Sequence, residues 1–361
     1  MNNPISKRIK LARRLRGLSM DDLVQRMGER AVSKMAISKI ERELITPTAI
    51  TLQAIADAVN LPLAFFQKPM FDLGEPEYRF KKEVTAAQRN QVKAMADELL
   101  QNYFDLLIFE GERLCFDHPM RNTILRNYAD AELAAIKLRR KWEIGLQPIH
   151  SVYELMACYG IHVLELDLDC GNVDGLSTWV NGDTPIIIIN TRANTTTERK
   201  RFTALHELCH LLFRLRPDDE ARHQSYLASL PPIPYDVTIK QPDEERLCDL
   251  FASAMLMPEP CVLRRFGQTR TDVGIEEFKA TRLLYGNSVA SQIHRLHDLR
   301  LIDDDLYHHL YETIINKDRK EENLGEPYPI MEMADRMPML EERLKVEIEV
   351  HTRKLRQFVQ K

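Results

Sequence analysis

The run Leu205-His206-Glu207-Leu208-Cys209-His210 constrains the fold more than any other part of this 361-residue chain. On a helix, residues four apart lie one above the other on the same face, so His206 and His210 point to one place and Glu207 stands beside them. Two imidazoles at that spacing can hold one tetrahedral divalent ion, and the glutamate between them reaches its open position as a general base. The alternative is a helix with two surface histidines.

A second segment reduces that alternative. Glu245-Arg-Leu-Cys-Asp249-Leu-Phe-Ala-Ser-Ala-Met-Leu-Met-Pro258 has Leu247, Leu250, Phe251 and Ala254 at helical spacing, and Pro258 ends the run. Glu245 and Asp249 share one face. A zinc site with two imidazoles needs a third protein ligand, commonly a carboxylate. It also needs an acceptor for the remaining ring nitrogen. Glu245 fits the first need and Asp249 the second. The alternative is that both are solvated helix charges.

The rest of the chain places these helices. The first 70 residues predict five short helices. Ile5, Ile9, Ala12 and Leu15 form a stripe that Gly17 ends; Ser19 caps the next helix, with Asp21 and Asp22 in its first turn; a third covers about Val32 to Arg42; Thr46-Pro47-Thr48 opens a fourth and Leu61-Pro62-Leu63 a fifth. The stretch Asp72 to Pro76 reads as a linker. Thr85 to Glu110 reads as a long amphipathic helix with Val92, Met95, Leu99 and Phe104 on one side, for core packing or dimer contact. Helices follow over Ala129–Trp142 and Pro148–Tyr159. Ile161–Leu166, Leu176–Val180 and Pro185–Asn190 then read as strands, the last either offering its edge to an extended substrate or lying buried. From Thr197 on the chain is helical apart from a Pro-rich loop. Ser288–Ile302 is one helix of a C-terminal extension, and Leu340, Leu344, Ile348, Leu355 and Phe358 mark a terminal helix that can pair two subunits.

Charge separates head from body. The net charge is -4, yet residues 1–70 carry +6 and the remainder -10. A basic head on an acidic body points to contact between that head and a polyanion. No stretch approaches the ~20 apolar residues of a membrane helix, and the N-terminus has charges where a signal peptide is apolar, so a cytoplasmic protein with no membrane contact is expected. Six cysteines lack any CxxC pair and read as reduced thiols.

Two resemblances follow from these residues. Arg201-Phe-Thr-Ala-Leu-His206-Glu-Leu-Cys-His210, the helix from Glu245 to Pro258, Asp174-Gly-Leu-Ser-Thr-Trp179 and Pro185-Ile-Ile-Ile-Ile-Asn190 resemble the ImmA/IrrE-type metallopeptidases. The resemblance covers about residues 130 to 265. It implies Zn2+ held by His206, His210 and Glu245, with Glu207 as the catalytic base. The sequence departs from the family at Cys209, where glycine is usual, and in the insertion from about Pro217 to Lys240; Cys209 is expected to pack as a small side chain. His223, Tyr226 and Tyr235 in the insertion are candidates for a transition-state donor, and the sequence does not choose among them.

Residues 5 to 66, with Gly17-Leu-Ser-Met-Asp-Asp-Leu23, Ala36-Ile-Ser-Lys-Ile-Glu-Arg42, Pro47 and Leu52-x-x-Ile-Ala-x-Ala-Val59, resemble the phage-repressor-like helix-turn-helix of the XRE type. That implies a third helix in the major groove of double-stranded operator DNA. Ser33, Lys34, Met35, Ser38 and Lys39 would then face the bases, and Arg13, Arg14 and Arg42 the phosphates. Met20 stands where a glutamine often contacts the backbone, and Glu43 replaces a common turn glycine.

The expected fold is mainly α with an α+β second domain: a five-helix head over 1–70, a linker and amphipathic helix over 71–128, a zincin-like domain with a small sheet over 129–265, and a helical extension over 266–361. The expected function is a DNA-binding transcriptional regulator carrying a zinc metallopeptidase that cleaves a partner repressor or itself on a stress signal, with a homodimer as the expected assembly. The competing expectation is an antitoxin-like regulator whose degenerate peptidase fold senses a ligand or partner without catalysis.

Overall fold

The computed structural model describes residues 4–67, 77–80, 85–109, 116–168, 173–180, 182–191 and 196–318. The linker at 72–76 and the terminal helix expected from Leu340 lie outside the described residues, as do Cys115 and Cys170.

The head is built from α1 (Pro4–Leu15), α2 (Met20–Met27), α3 (Lys34–Glu41), α4 (Ala49–Val59) and α5 (Leu63–Gln67), with a 3-10 turn at Gly28–Arg30 after α2. Its boundaries follow from short polar side chains. Ser19, Ser33 and Thr48 each cap a following helix by accepting its third backbone N–H, and Asp22 closes a capping box with Ser19. Ile9, Leu23, Ile37, Ile55 and Phe66 fill the centre, all fully buried. Glu43, at the turn after α3, takes φ +61, a left-handed conformation that glycine adopts without strain.

Next come β1 (Glu77–Phe80), α6 (Ala86–Phe109), β2 (Ile124–Leu125), α7 (Tyr128–Lys141), α8 (Val152–Cys158), β3 (His162–Leu166), β4 (Val173–Val180), β5 (Thr184–Asn190), α9 (Thr197–Leu212), β6 (Arg214–Leu215), α10 (Glu220–Ser229) and α11 (Glu244–Leu256). The principal sheet has the order β1-β4-β5-β3, with β4 antiparallel to both neighbours and β3 parallel to β5. β5 is therefore an inner strand with no free edge, which settles the two readings of Pro185–Asn190 in favour of the buried one. Its unbroken isoleucine run follows from burial on both faces. Ile187 and Ile189 pack with α8, α9 and α11, while Ile186 and Ile188 pack with Val92, Ala96, Leu100 and Tyr103 of α6. Each such side chain contributes on the order of 1.5–3 kcal/mol by leaving water.

The stripe on α6 differs from the expected one: Val92, Ala96, Leu100 and Tyr103 are buried, while Met95 and Leu99 are only half-buried. Ala94, on another face of α6, belongs to the core of the head. The helix thus serves core packing, against head and sheet together.

The extension comprises α12 (Glu259–Phe266), α13 (Ile275–Tyr285), α14 (Val289–Asp298), α15 (Asp304–Leu310) and a π-helical segment Tyr311–Asp318. It has its own core, around Phe266, Phe278, Ile293, Leu296 and Ile302. α14 stops at Asp298 rather than running to Ile302, because Arg300 takes φ +60. A buried ion pair, Glu198–Arg282 at 2.5 Å, ties α13 to the first turn of α9. None of the described helices is long and apolar enough to cross a membrane.

Candidate metal centre and nucleic-acid face

α9 and α11 cross at the centre of the second domain, and their facing residues are those the spacing singled out. His206 Nε2 lies 3.2 Å from His210 Nε2 and 3.3 Å from Glu245 Oε2, and His210 Nε2 lies 3.6 Å from Glu245 Oε1. These separations fit a common ion: donors roughly 2.0–2.1 Å from a tetrahedral zinc stand about 3.3–3.4 Å apart. Behind the triangle, Asp249 Oδ1 sits 2.8 Å from His206 Nδ1. That contact fixes the ring with Nδ1 as donor and leaves Nε2 its lone pair. His206 is fully buried, while the Glu245 side chain is 49% exposed, so the triangle opens to solvent on the glutamate's side.

Glu207 is 1% exposed and points toward β4, where the Ser177 hydroxyl donates to its Oε2 at 2.8 Å. The two elements approach closely because position 175 is glycine. A Cβ there would stand 2.9 Å from Thr203 Cγ2, 3.1 Å from the Ile188 carbonyl oxygen and 3.3 Å from Glu207 Cγ.

Two residues escaped the sequence reading. Ser177 lies inside the quoted strand motif, but only the fold shows which side chain crosses it. Cys248 is the other. Its Sγ lies within 4.8 Å of the ligating atoms of His206 and His210, the three together forming a set able to hold a metal. Its spacing of three from Glu245, one helical turn away, was the available signal. Burial and the neighbouring Cys209 thiol push the Cys248 thiol well up, while His210 pulls it down. Cys209 itself is fully buried, a packed small side chain as expected.

Behind Asp249, Arg246 pairs with Asp298; burial opposes its charge, and Asp298, Tyr128 and Asp249 outweigh that opposition to raise it. A cavity of about 450 Å³ adjoins this carboxylate, lined by Arg199, Phe202, Thr203, Asp249, His294 and Tyr311 among others. Two of the three candidate donors of the insertion, His223 and Tyr235, have other partners. The His223 ring contacts the Ile239 carbonyl at 3.0 Å, and the Tyr235 hydroxyl donates to the Arg300 carbonyl at 2.6 Å. Burial holds the Tyr226 phenol protonated, its pKa pushed up to about 12.

In the head, α3 turns Ile37 and Ile40 inward and leaves Ser33, Lys34, Met35, Lys39 and Arg42 exposed, with Ser38 half-buried on its rim. Met35 is 67% exposed. Lys34 pairs with Asp21 at 2.5 Å, in an exposed contact that costs little to give up. Arg14 is half-buried. Arg13 is directed elsewhere: its guanidinium forks onto both carboxylate oxygens of Glu41 at 2.6 and 2.7 Å and donates to the Leu18 carbonyl. It clasps α1 to α3 and is not offered to phosphate.

Comparison with known families finds two matches, in separate parts of the chain, the second running from α8 to α14. Residues 9–66 match the helix-turn-helix family model, and residues 156–297 match the model of the IrrE N-terminal-like domain, a peptidase family. A search among curated proteins finds no match to the chain.

Proposed function

For a chain that joins an XRE-type helix-turn-helix to an ImmA/IrrE-type metallopeptidase domain, we propose a DNA-binding transcriptional regulator whose second domain is a zinc-dependent endopeptidase, cleaving a partner repressor or another copy of itself. The observation that carries this reading is the His206–His210–Glu245 triangle, with Asp249 behind one ring and Glu207 beside it. Joining the two domains gives the peptidase a high effective concentration toward proteins bound next to the same operator.

The residues divide the work. His206, His210 and Glu245 would hold the ion, and Asp249 keeps His206 in the ligating tautomer. When bound, the zinc supplies Lewis-acid polarisation of the scissile carbonyl and of the attacking water. Glu207 accepts the proton of that water and returns it to the leaving amine. Ser177 holds one Glu207 oxygen, so the other is aimed without rotation of the carboxylate. In the head, Ser33, Lys34, Met35, Ser38 and Lys39 face the bases and Arg42 and Arg14 the phosphates.

Glu207→Gln tests the chemistry. It should retain zinc and DNA binding while losing cleavage by about 10²–10⁴-fold; undiminished cleavage sinks the mechanism. On the DNA side, Lys39→Ala should lower the slope of log affinity against log salt by about 1 if that side chain meets phosphate, and leave it unchanged if it meets a base.

One observation favours a second, non-catalytic reading. With Cys248 beside the histidines, a His, His, Glu and Cys set would close the coordination sphere, and closed four-ligand zinc sites are structural. Cobalt-substituted protein separates the two readings. A sulfur-to-cobalt charge-transfer band that Cys248→Ser abolishes marks the closed, sensing site, and its absence marks the open one.

A further inference from the structure

β4 is the strand that meets Glu207. Gly175 and Ser177 are where β4 presses against the helix of Glu207, through the Ser177–Glu207 hydrogen bond and the close approach at position 175, where an added Cβ would stand 3.3 Å from Glu207 Cγ. On its inner side β4 pairs with β5. Its outer edge is not open: β1, from the segment between head and body, pairs with it antiparallel, Glu77 opposite Ser177, Tyr78 opposite Leu176 and Phe80 opposite Val173. Two steps along β1 thus span three along β4, so the extra residue of the bulge falls on β4 at Asp174–Gly175, opposite Arg79 and next to Glu207. Bulges gather beside active sites, where they re-aim the strand.

Peptides bind exposed sheet edges by adding a strand whose main chain supplies the affinity. β1 has that form: extended, antiparallel, four residues long and set on the catalytic edge. We propose that Glu77–Phe80 is a resident pseudosubstrate, occupying the edge of β4 at which a peptide substrate docks, so that a substrate enters only by displacing it. The inference rests on the peptidase reading of the site and names what regulates it. A strand of four residues holds few ladder hydrogen bonds, so it can be displaced, and its tether gives it a high local concentration, so it returns. Five residues separate β1 from Ala86, where α6 begins, and α6 packs against both the head, through Ala94, and the sheet, through Val92, Ala96 and Leu100. Displacement of β1 therefore acts on the segment that leads into the helix shared by head and body.

The test uses the full chain carrying Glu207→Gln, so that bound peptide survives, and a synthetic peptide copying residues 74–83 with blocked ends. Hydrogen exchange should show residues 77–80 and 173–177 protected without peptide. Saturating peptide should release 77–80 while 173–177 stay protected. Adding Tyr78→Pro and Arg79→Pro removes one amide from each side of the linker strand, whichever faces β4. The peptide should then bind about tenfold more tightly than to the chain with an intact linker. Equal affinity for the two forms, no binding to either, or protection of 77–80 that saturating peptide leaves intact would each overturn the proposal and make β1 a permanent strand of the sheet. The exchange readout on the intact linker stands even if the proline variant fails to fold. The peptidase reading is judged separately, by zinc content and by cleavage in the chain with Glu207 intact, so either idea can fail alone.

Discussion

Ser177 donates its hydroxyl to Glu207 Oε2 at 2.8 Å, and each residue is 1% exposed. A hydrogen bond to a charged group at such a site is worth about 1.5–3 kcal/mol. Ser177→Ala should therefore lower kcat for cleavage by about 10–100-fold with zinc content unchanged, and Ser177→Thr, which keeps the hydroxyl, should lower it less. Steady-state kinetics beside metal analysis decides the point; an unchanged kcat for the alanine variant would detach Ser177 from the chemistry.

Asp249 would act on a bound ion through His206. With its carboxylate 2.8 Å from His206 Nδ1, it orients a ring whose Nε2 faces Glu245 and His210. Loss of such a partner lowers metal affinity by about 10–100-fold. Asp249→Ala should show that loss in chelator competition, and Glu245→Ala, which removes a ligand outright, a larger one. If Asp249→Ala binds zinc as the parent does, the carboxylate is a solvated helix charge.

Much of this was legible in the sequence where local chemistry decides. Ser19, Ser33 and Thr48 announce their helices because a short polar side chain before an apolar stripe has one favourable use. His206 with His210, and Glu245 with Asp249, were legible as pairs because residues four apart share one face of a helix. What escaped depends on partners distant in sequence. Glu77-Tyr-Arg-Phe80 is a strand only because β4 offers it an edge, and the two-residue pair of β2 and β6 carries no period at all. Arg13 reads as a free cation until Glu41, 28 residues away, closes on it. The Ser177 and Cys248 contacts likewise arise from how elements cross, which no single segment encodes.

Asp304 makes the anchoring of the insertion sensitive to acid. Burial alone would raise its carboxyl, but hydrogen bonds from His297 and Thr238 outweigh that and bring it from 3.8 to about 2. A carboxyl depressed by folding stabilises the native state above its unfolded value, and that stability disappears as pH falls through the folded one. The contact between Thr238 and α15 should thus be fully formed above about pH 4 and lost progressively toward about pH 2. Thermal midpoints of the parent and of Asp304→Asn should differ at neutral pH, the variant being lower, and converge across that interval. Limited proteolysis near Pro234 should show the variant cut faster at pH 7. A difference in midpoint that persists at pH 2 would assign the effect to something other than this carboxylate.

Gly175 sets how closely β4 and α9 meet. Of the three atoms a Cβ would meet, the Ile188 carbonyl belongs to an inner strand and cannot yield, while Thr203 Cγ2, at 2.9 Å, sits on a helix packed from behind by the main core. Relief must come from the helix, and moving it moves Glu207 away from Ser177. Overpacking of this kind costs about 1–3 kcal/mol. Gly175→Ala should lower stability by that amount in urea titration and should reduce cleavage more than zinc binding, because Glu207 is the residue turned toward β4, while His206 and His210 are turned toward Glu245 on α11. Thr203→Ser removes the methyl group that clashes first, so combining it with Gly175→Ala should recover part of both losses. A double-mutant cycle measures the coupling. Additive effects would mean that Gly175 is required by β4 itself, through its bulge, rather than by the approach of the helix that carries Glu207.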